Sequence, residues 1–73
     1  MNNVIHFSSK DFLVDVKIQI KKQFKNQERF AEAVFITRKQ LFRILTHPDN
    51  LSVYWVEEFC LKLDLDLRNY IRD

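Results

Sequence analysis

The 73-residue sequence predicts a single, small all-α domain. Apolar residues recur at spacings of three and four along most of the chain, which is the period of a helix that buries one face. Side chains that cap helix N-termini stand just before several of these runs. Alternation at period two, which would predict a strand, is sustained only at residues 61–67. That segment follows a predicted helix, so we interpret it as a helix end and a turn.

The composition is that of a folded domain, since 47% of the residues are hydrophobic and 30% are charged. The formal net charge of +2 permits nucleic-acid binding without requiring it. Cys60 is the single cysteine and lies on an apolar helix face, where we expect a buried thiol and no disulfide. Neither a signal peptide nor a membrane-spanning run is visible, so we expect a cytoplasmic protein with no membrane partner.

Five helices are predicted after an N-terminal arm that covers residues 1–8. They are placed, in chain order, at residues 10–24, from 27, from 38, at 52–63 and from 67. Thr37 and Gln40 have the spacing of a capping box at the start of the third helix. Phe7 of the arm is expected either to pack on the first helix or to pair with another chain.

The apolar faces of these helices are expected to meet in one core. Its predicted residues are Leu13, Val16, Ile20, Phe30, Ala31, Val34, Ile36, Leu41, Ile44, Val56, Phe59, Leu63 and Leu67. The small side chain of Ala31 suits a close approach of the second and third helices. Ile36 lies in the joint between those helices, where we expect it to point into the angle between them.

Four positions within residues 26–45 form an ordered set: Gln27 at a helix start, Phe30 and Ala31 three and four residues later, and Thr37 as the next cap. This set resembles the helix-turn-helix of the Cro-type, lambda-repressor-like transcription regulators. That family has Gln, an apolar residue, Ala and a Ser or Thr cap in the same order. The resemblance implies that the third helix can enter the major groove of DNA.

The resemblance continues beyond the third helix. Ser52 stands where the family caps its fourth helix, and residues 63–67 stand where the family has Leu-Gly-Val-Ser-Leu. The similarity extends over residues 11–71, most of the chain. It implies a compact five-helix, lambda-repressor-like DNA-binding domain over residues 9–73, with the helix-turn-helix at 27–46.

Two positions depart from the family pattern. The family has Gly between its second and third helices and again after the third, where this chain has Phe35 and His47. A bulky side chain with positive φ is sterically costly. Either these turns adopt another backbone, or the third helix is tilted away from the family arrangement.

The function that the resemblance implies is sequence-specific regulation of transcription, of phage or mobile-element type, in the cytoplasm of a bacterial host. The third helix is expected to bind operator DNA, with the protein as a homodimer on a pseudo-palindrome. Its outward Arg side chains suit guanine and its Gln suits adenine, through paired hydrogen bonds. The predicted DNA-binding residues are Gln27, Thr37, Arg38, Lys39, Gln40, Arg43, Lys21 and Lys22. The two first-helix lysines also fit a solvated face that the helix dipole favours.

A second function stays open, in which the chain keeps this fold but acts as a phage antirepressor that binds a repressor protein and blocks its DNA binding. The nearly balanced charge, the missing turn glycines and an aromatic residue on the third helix support this alternative. The predicted partner surface consists of Glu28, Glu32, Phe42 and Asp49. Phe42 itself has three interpretations: contact with a thymine methyl group, an anchor for a protein partner, or partial burial against the fourth helix.

No enzyme, cofactor, metal or small-molecule substrate is predicted. Glu57 and Glu58 are adjacent on a helix, so their carboxylates diverge instead of sharing a site. The chain has no Gly and therefore no glycine-rich loop that cradles a phosphate. One cysteine and two widely separated histidines do not have the ligand spacing of a metal site.

Overall fold

The computed structural model describes residues 6–72, and its regular structure is almost entirely helical. Within this range four α-helices follow one another, named α1 to α4: Ser9–Phe24, Gln27–Ala33, Arg38–Thr46 and Val53–Leu63. Single 3-10 turns cover Pro48–Asn50 and Leu67–Tyr70. The predicted all-α class is confirmed. The count of five α-helices is not reached, because the segment after Asp66 closes as one 3-10 turn and then becomes a short strand.

Local hydrogen bonds explain where the helices begin. The capping box predicted at Thr37 is confirmed: its hydroxyl accepts from the Gln40 backbone N–H at 3.1 Å, and the Gln40 amide oxygen accepts from the Thr37 N–H at 3.0 Å. Asn26 caps α2 and Ser52 caps α4 through their side-chain oxygens. Each cap satisfies a backbone N–H group that has no partner inside the helix.

The predicted core is largely confirmed: ten of its thirteen residues are buried, and three are replaced by other apolar residues. The buried apolar residues are Phe12, Leu13, Val16, Ile20, Phe30, Ala31, Val34, Leu41, Leu45, Val56, Phe59, Leu63 and Tyr70. Of the predicted members, Ile36, Ile44 and Leu67 are only half-buried and pack against the edge of this core. On α3 the interior positions are Leu41 and Leu45, one helical turn apart, so Ile44 turns toward the side.

Aromatic rings join the helices at the centre of the core. The Phe59 ring of α4 lies 5.5 Å from the Phe30 ring of α2 and 6.4 Å from the Phe12 ring of α1, nearly parallel to the latter. The Trp55 ring, one turn earlier on α4, is 5.8 Å away. Pairs at these separations add to the stabilisation that comes from burial alone. Phe59 therefore links α1, α2 and α4.

The two ends of the described chain pair with each other. Strand β1 (His6–Phe7) is antiparallel to strand β2 (Ile71–Arg72), with Phe7 opposite Ile71. The Phe7 ring lies 5.3 Å from the Phe12 ring. Phe7 therefore packs on the first helix, which was one of the two alternatives predicted for it. The first five residues of the predicted arm lie outside the described residues.

A side-chain hydrogen bond fastens the C-terminal turn to α1. The Tyr70 hydroxyl donates to the Asp15 carboxylate at 2.6 Å. Burial of the phenol, followed by this hydrogen bond and the Asp15 charge, raises the pKa of Tyr70 to about 12 from 10.0. The folded state therefore favours the neutral phenol.

This shift predicts a loss of stability at high pH. Below pH 10 the Tyr70 phenol is neutral in the folded and the unfolded state, and its contribution to stability is fully present. Between pH 10 and the folded-state pKa of about 12, only the unfolded chain ionises, so this contribution is lost as the pH rises. In a Tyr54→Phe variant Tyr70 is the single tyrosine left. We expect its tyrosinate absorbance to titrate near 12 when folded and about 10 in urea. A folded midpoint close to 10 would contradict the buried hydrogen bond.

The turn between α2 and α3 contains a strained residue. Phe35 has φ 62°, in the left-handed region, and its side chain is 90% exposed. The first position where the resembled family has Gly therefore keeps the backbone that suits Gly. At the second position His47 has φ −125°, so that turn adopts another backbone and continues into the 3-10 turn at Pro48.

Replacing Phe35 with Gly is expected to stabilise the domain by about 1 kcal/mol, because it relieves the steric cost of positive φ. Phe35→Ala is the matched control, since it removes the ring but keeps the Cβ that causes the strain. We expect its stability to stay close to that of the wild type. Urea unfolding measures both variants. Equal stability of the Gly and Ala variants would show that the backbone at this position costs nothing.

Candidate functional site

The outer face of α3, defined here as Arg38, Lys39, Gln40, Phe42 and Arg43, is exposed along its length. The inward positions of the same helix are buried in the core. The prediction that the four polar side chains point outward is confirmed. Thr37, the cap before them, is also exposed.

The geometry of a helix orders this face. With 3.6 residues per turn, Phe42 lies about 40° around the helix from Arg38, and Lys39 lies about 40° from Arg43. Lys39 therefore occupies the middle of the face, and Phe42 lies between Lys39 and the edge formed by Arg38. The helix has nine residues, which gives a length of about 13.5 Å.

Gln40 has a second role that restricts its chemistry. Its amide oxygen accepts from the Thr37 N–H at 3.0 Å and from the Thr37 hydroxyl at 3.3 Å. Paired recognition of adenine uses both the amide oxygen and the amide nitrogen of a Gln. Gln40 can offer both groups to a base only if the capping box opens.

Two shallow depressions flank the Phe42 ring. One, of about 480 Å³, is lined by Asn26, Gln27, Glu28, Arg38 and Phe42, and so brings the start of α2 against the outer face of α3. The other, of about 370 Å³, is lined by Arg38, Lys39 and Phe42. The Phe42 side chain is 58% exposed. Its predicted burial against the fourth helix is not found, because it borders α2.

Of the residues predicted to contact phosphates, only Gln27 lies beside the Phe42 ring. Gln27 joins Arg38 in the larger depression. Lys21 and Lys22 are exposed near the end of α1, and neither lines a depression beside Phe42. They form a separate group with Lys17 and Lys25, which are also exposed.

Charge is strongly segregated along the chain. Residues 17–47 hold eight Lys and Arg against two Glu, and all eight cations are exposed. The remaining residues hold four Lys and Arg against eight Asp and Glu. The small total charge conceals a positive part with a net charge of +6 and a negative remainder with a net charge of −4. Counting charges in successive segments of the sequence reveals this segregation. The positive part also contains Arg29, which the sequence analysis did not include among the DNA-binding residues.

Three of the four residues of the alternative partner surface line adjoining depressions, and Asp49 does not. Glu28 lies beside Phe42 in the larger depression. Glu28 and Glu32 together line a second depression, which also contains Lys25 and Arg29. Asp49 lies in the 3-10 turn after α3. The charged side chains nearest Phe42 are therefore mainly basic.

A groove that the sequence did not predict runs beside α3. It has a volume of about 310 Å³ and is lined by Ile36, Gln40, Arg43, Ile44, His47 and Trp55. Ile36 and Ile44 are half-buried in its lining, whereas Arg43 is exposed. Arg43 therefore borders both this groove and the outer face of α3.

Other chemistry is limited in the part of the chain that the structure covers. Cys60 is half-buried, and burial followed by the charge of Asp66 raises the pKa of its thiol, which keeps it protonated near neutral pH. Across residues 6–72, no three His, Cys, Asp or Glu side chains come together in a way that could hold a metal ion. None of the helices in that range has both the length and the apolarity that spanning a bilayer requires. Comparison of the chain with protein-family models, curated proteins and solved structures found no match.

Proposed function

We propose that this chain is a sequence-specific DNA-binding regulator of transcription, of the lambda-repressor-like type, in which α2 and α3 act as a helix-turn-helix. The observation that carries the proposal is the exposed outer face of α3, with three cations on the positive part of the chain. Arg and Lys supply both phosphate contacts and base contacts in protein–DNA complexes.

The dimensions of α3 support this function. An α-helix with its side chains is about 10–12 Å across, which fits a major groove that is about 12 Å wide and 8.5 Å deep. Arg38 and Arg43 have the guanidinium forks that pair with guanine O6 and N7. Gln27, beside Arg38 at the start of α2, is suited to a neighbouring phosphate. The proposal includes a homodimer that binds a pseudo-palindromic operator.

Selection of duplexes from a random DNA library, followed by titration at several salt concentrations, tests the proposal. We expect one enriched sequence family and an affinity that falls steeply with salt, since bound phosphates release counterions. Failure to enrich any sequence, together with no binding at low salt, would exclude the proposed function.

Substitution of the α1 lysines separates phosphate contact from base contact. Lys21→Ala or Lys22→Ala is expected to weaken binding to all duplexes alike and to reduce the salt slope by about one unit per lost contact. Lys62→Ala on α4, also exposed but outside the positive part, is the matched control and should leave the slope unchanged. Equal slopes for all three variants would assign Lys21 and Lys22 to a solvated face.

The exposed Phe42 ring supports a second candidate function, the capture of a repressor protein with Glu28 beside the ring. The basic neighbours of Phe42 make it the weaker candidate, because a repressor's DNA-binding surface is itself basic. Titration against a purified phage repressor bound to its own operator distinguishes the two functions. Loss of the repressor's operator binding, with no DNA binding by this chain alone, would favour antirepression.

A further inference from the structure

We propose that the Phe42 ring contacts the 5-methyl group of a thymine in the major groove and so determines which base is accepted at that position. The inference rests on the proposed DNA-binding function and names the base that this function selects. It concerns a residue whose aromatic side chain contributes nothing to the core cluster.

The position of Phe42 supports this role. Phe42 is 58% exposed, whereas Leu41 and Leu45 of the same helix are buried. Around the helix it lies between Arg38 and Lys39, on the side of the outer face that borders the start of α2. The depressions on both sides of the ring leave it accessible from the start of α2 and from the Lys39 side.

The surrounding charge favours DNA as the ligand that covers this ring. Arg38 and Lys39 share a depression with it, and only Glu28 among its neighbours is acidic. A protein partner that buried Phe42 would also have to compensate those two cations. DNA supplies phosphates and guanine acceptors for the cations and, at thymine, the one apolar group on the major-groove edges of the four bases.

Replacement of single thymines by deoxyuridine in the selected duplex tests the contact, because it removes only the methyl group. At one thymine in each half-site, wild-type affinity is expected to fall roughly fourfold, which corresponds to one buried methyl-sized group. Phe42→Ala should bind the thymine and deoxyuridine duplexes equally at that position. Phe42→Leu, which keeps an apolar side chain, should retain part of the discrimination.

Three outcomes would overturn the inference. If the wild-type protein binds every deoxyuridine duplex as tightly as the thymine duplex, it makes no methyl contact, and the proposed DNA-binding function is unaffected. A Phe42→Ala variant that keeps the wild-type discrimination shows that another residue senses the methyl group. Absence of any selected duplex removes both the proposed function and this inference.

Discussion

Replacement of Phe59 with alanine is expected to lower the free energy of unfolding by about 3–5 kcal/mol. The ring is fully buried and contacts rings from α1 and α2 as well as Trp55 of its own helix. Its removal leaves a cavity where three helices meet. Domains of this size have total stabilities in the same range, so we expect a largely unfolded variant at room temperature.

Circular dichroism during urea titration measures this effect. Phe35→Ala is the matched control, because it deletes the same atoms from a side chain that is 90% exposed. The control should unfold at nearly the wild-type urea concentration. A Phe59→Ala variant with wild-type stability would contradict the position of the aromatic cluster.

Substitution of Arg38 or Arg43 by alanine is expected to weaken binding to the selected duplex by about 1–3 kcal/mol each and to relax specificity at the bases they contact. The two positions lie five residues apart and about 140° around α3, so their effects should be nearly additive in the double variant. Competition between specific and random duplexes separates lost specificity from lost charge.

Arg68→Ala provides the control for this experiment. Arg68 is exposed and pairs with Asp66 at 3.0 Å, a surface ion pair that contributes little to stability, and it lies outside the positive part of the chain. Its loss should leave DNA affinity unchanged. If the Arg38 and Arg43 variants behave in the same way as Arg68→Ala, the outer face of α3 is not the surface that contacts bases.

The helices could be predicted because their signals are local. The cap at Thr37 and the apolar residues one turn apart on α3 fix both where that helix begins and which side faces the core. The pairing of β1 with β2 could not be predicted in this way, because two-residue strands carry no measurable period. Tyr70 is absent from the predicted core for a related reason. Its burial depends on contacts with α1, which is distant in the sequence and gives no local signal.

The side chains of the candidate site were predictable, but their competing roles were not. Gln40 satisfies both a capping-box pattern and a base-contact pattern, and only the structure shows that one amide oxygen would serve both. Phe35 shows another limit. Its strain costs far less than the whole core contributes, so a sequence rule against bulky residues at positive φ does not decide the backbone.

The pairing of β1 with β2 affects the order in which the protein can fold during synthesis on the ribosome. Phe7 and Phe12 are synthesised about sixty residues before Tyr70, whose ring lies 5.1 Å from the Phe12 ring. At translation rates of about 5–20 residues per second, this interval lasts roughly 3–12 seconds. Once the start of α1 has left the ribosome, and until Tyr70 follows, the Phe12 ring is uncovered aromatic surface of the kind that chaperones recognise.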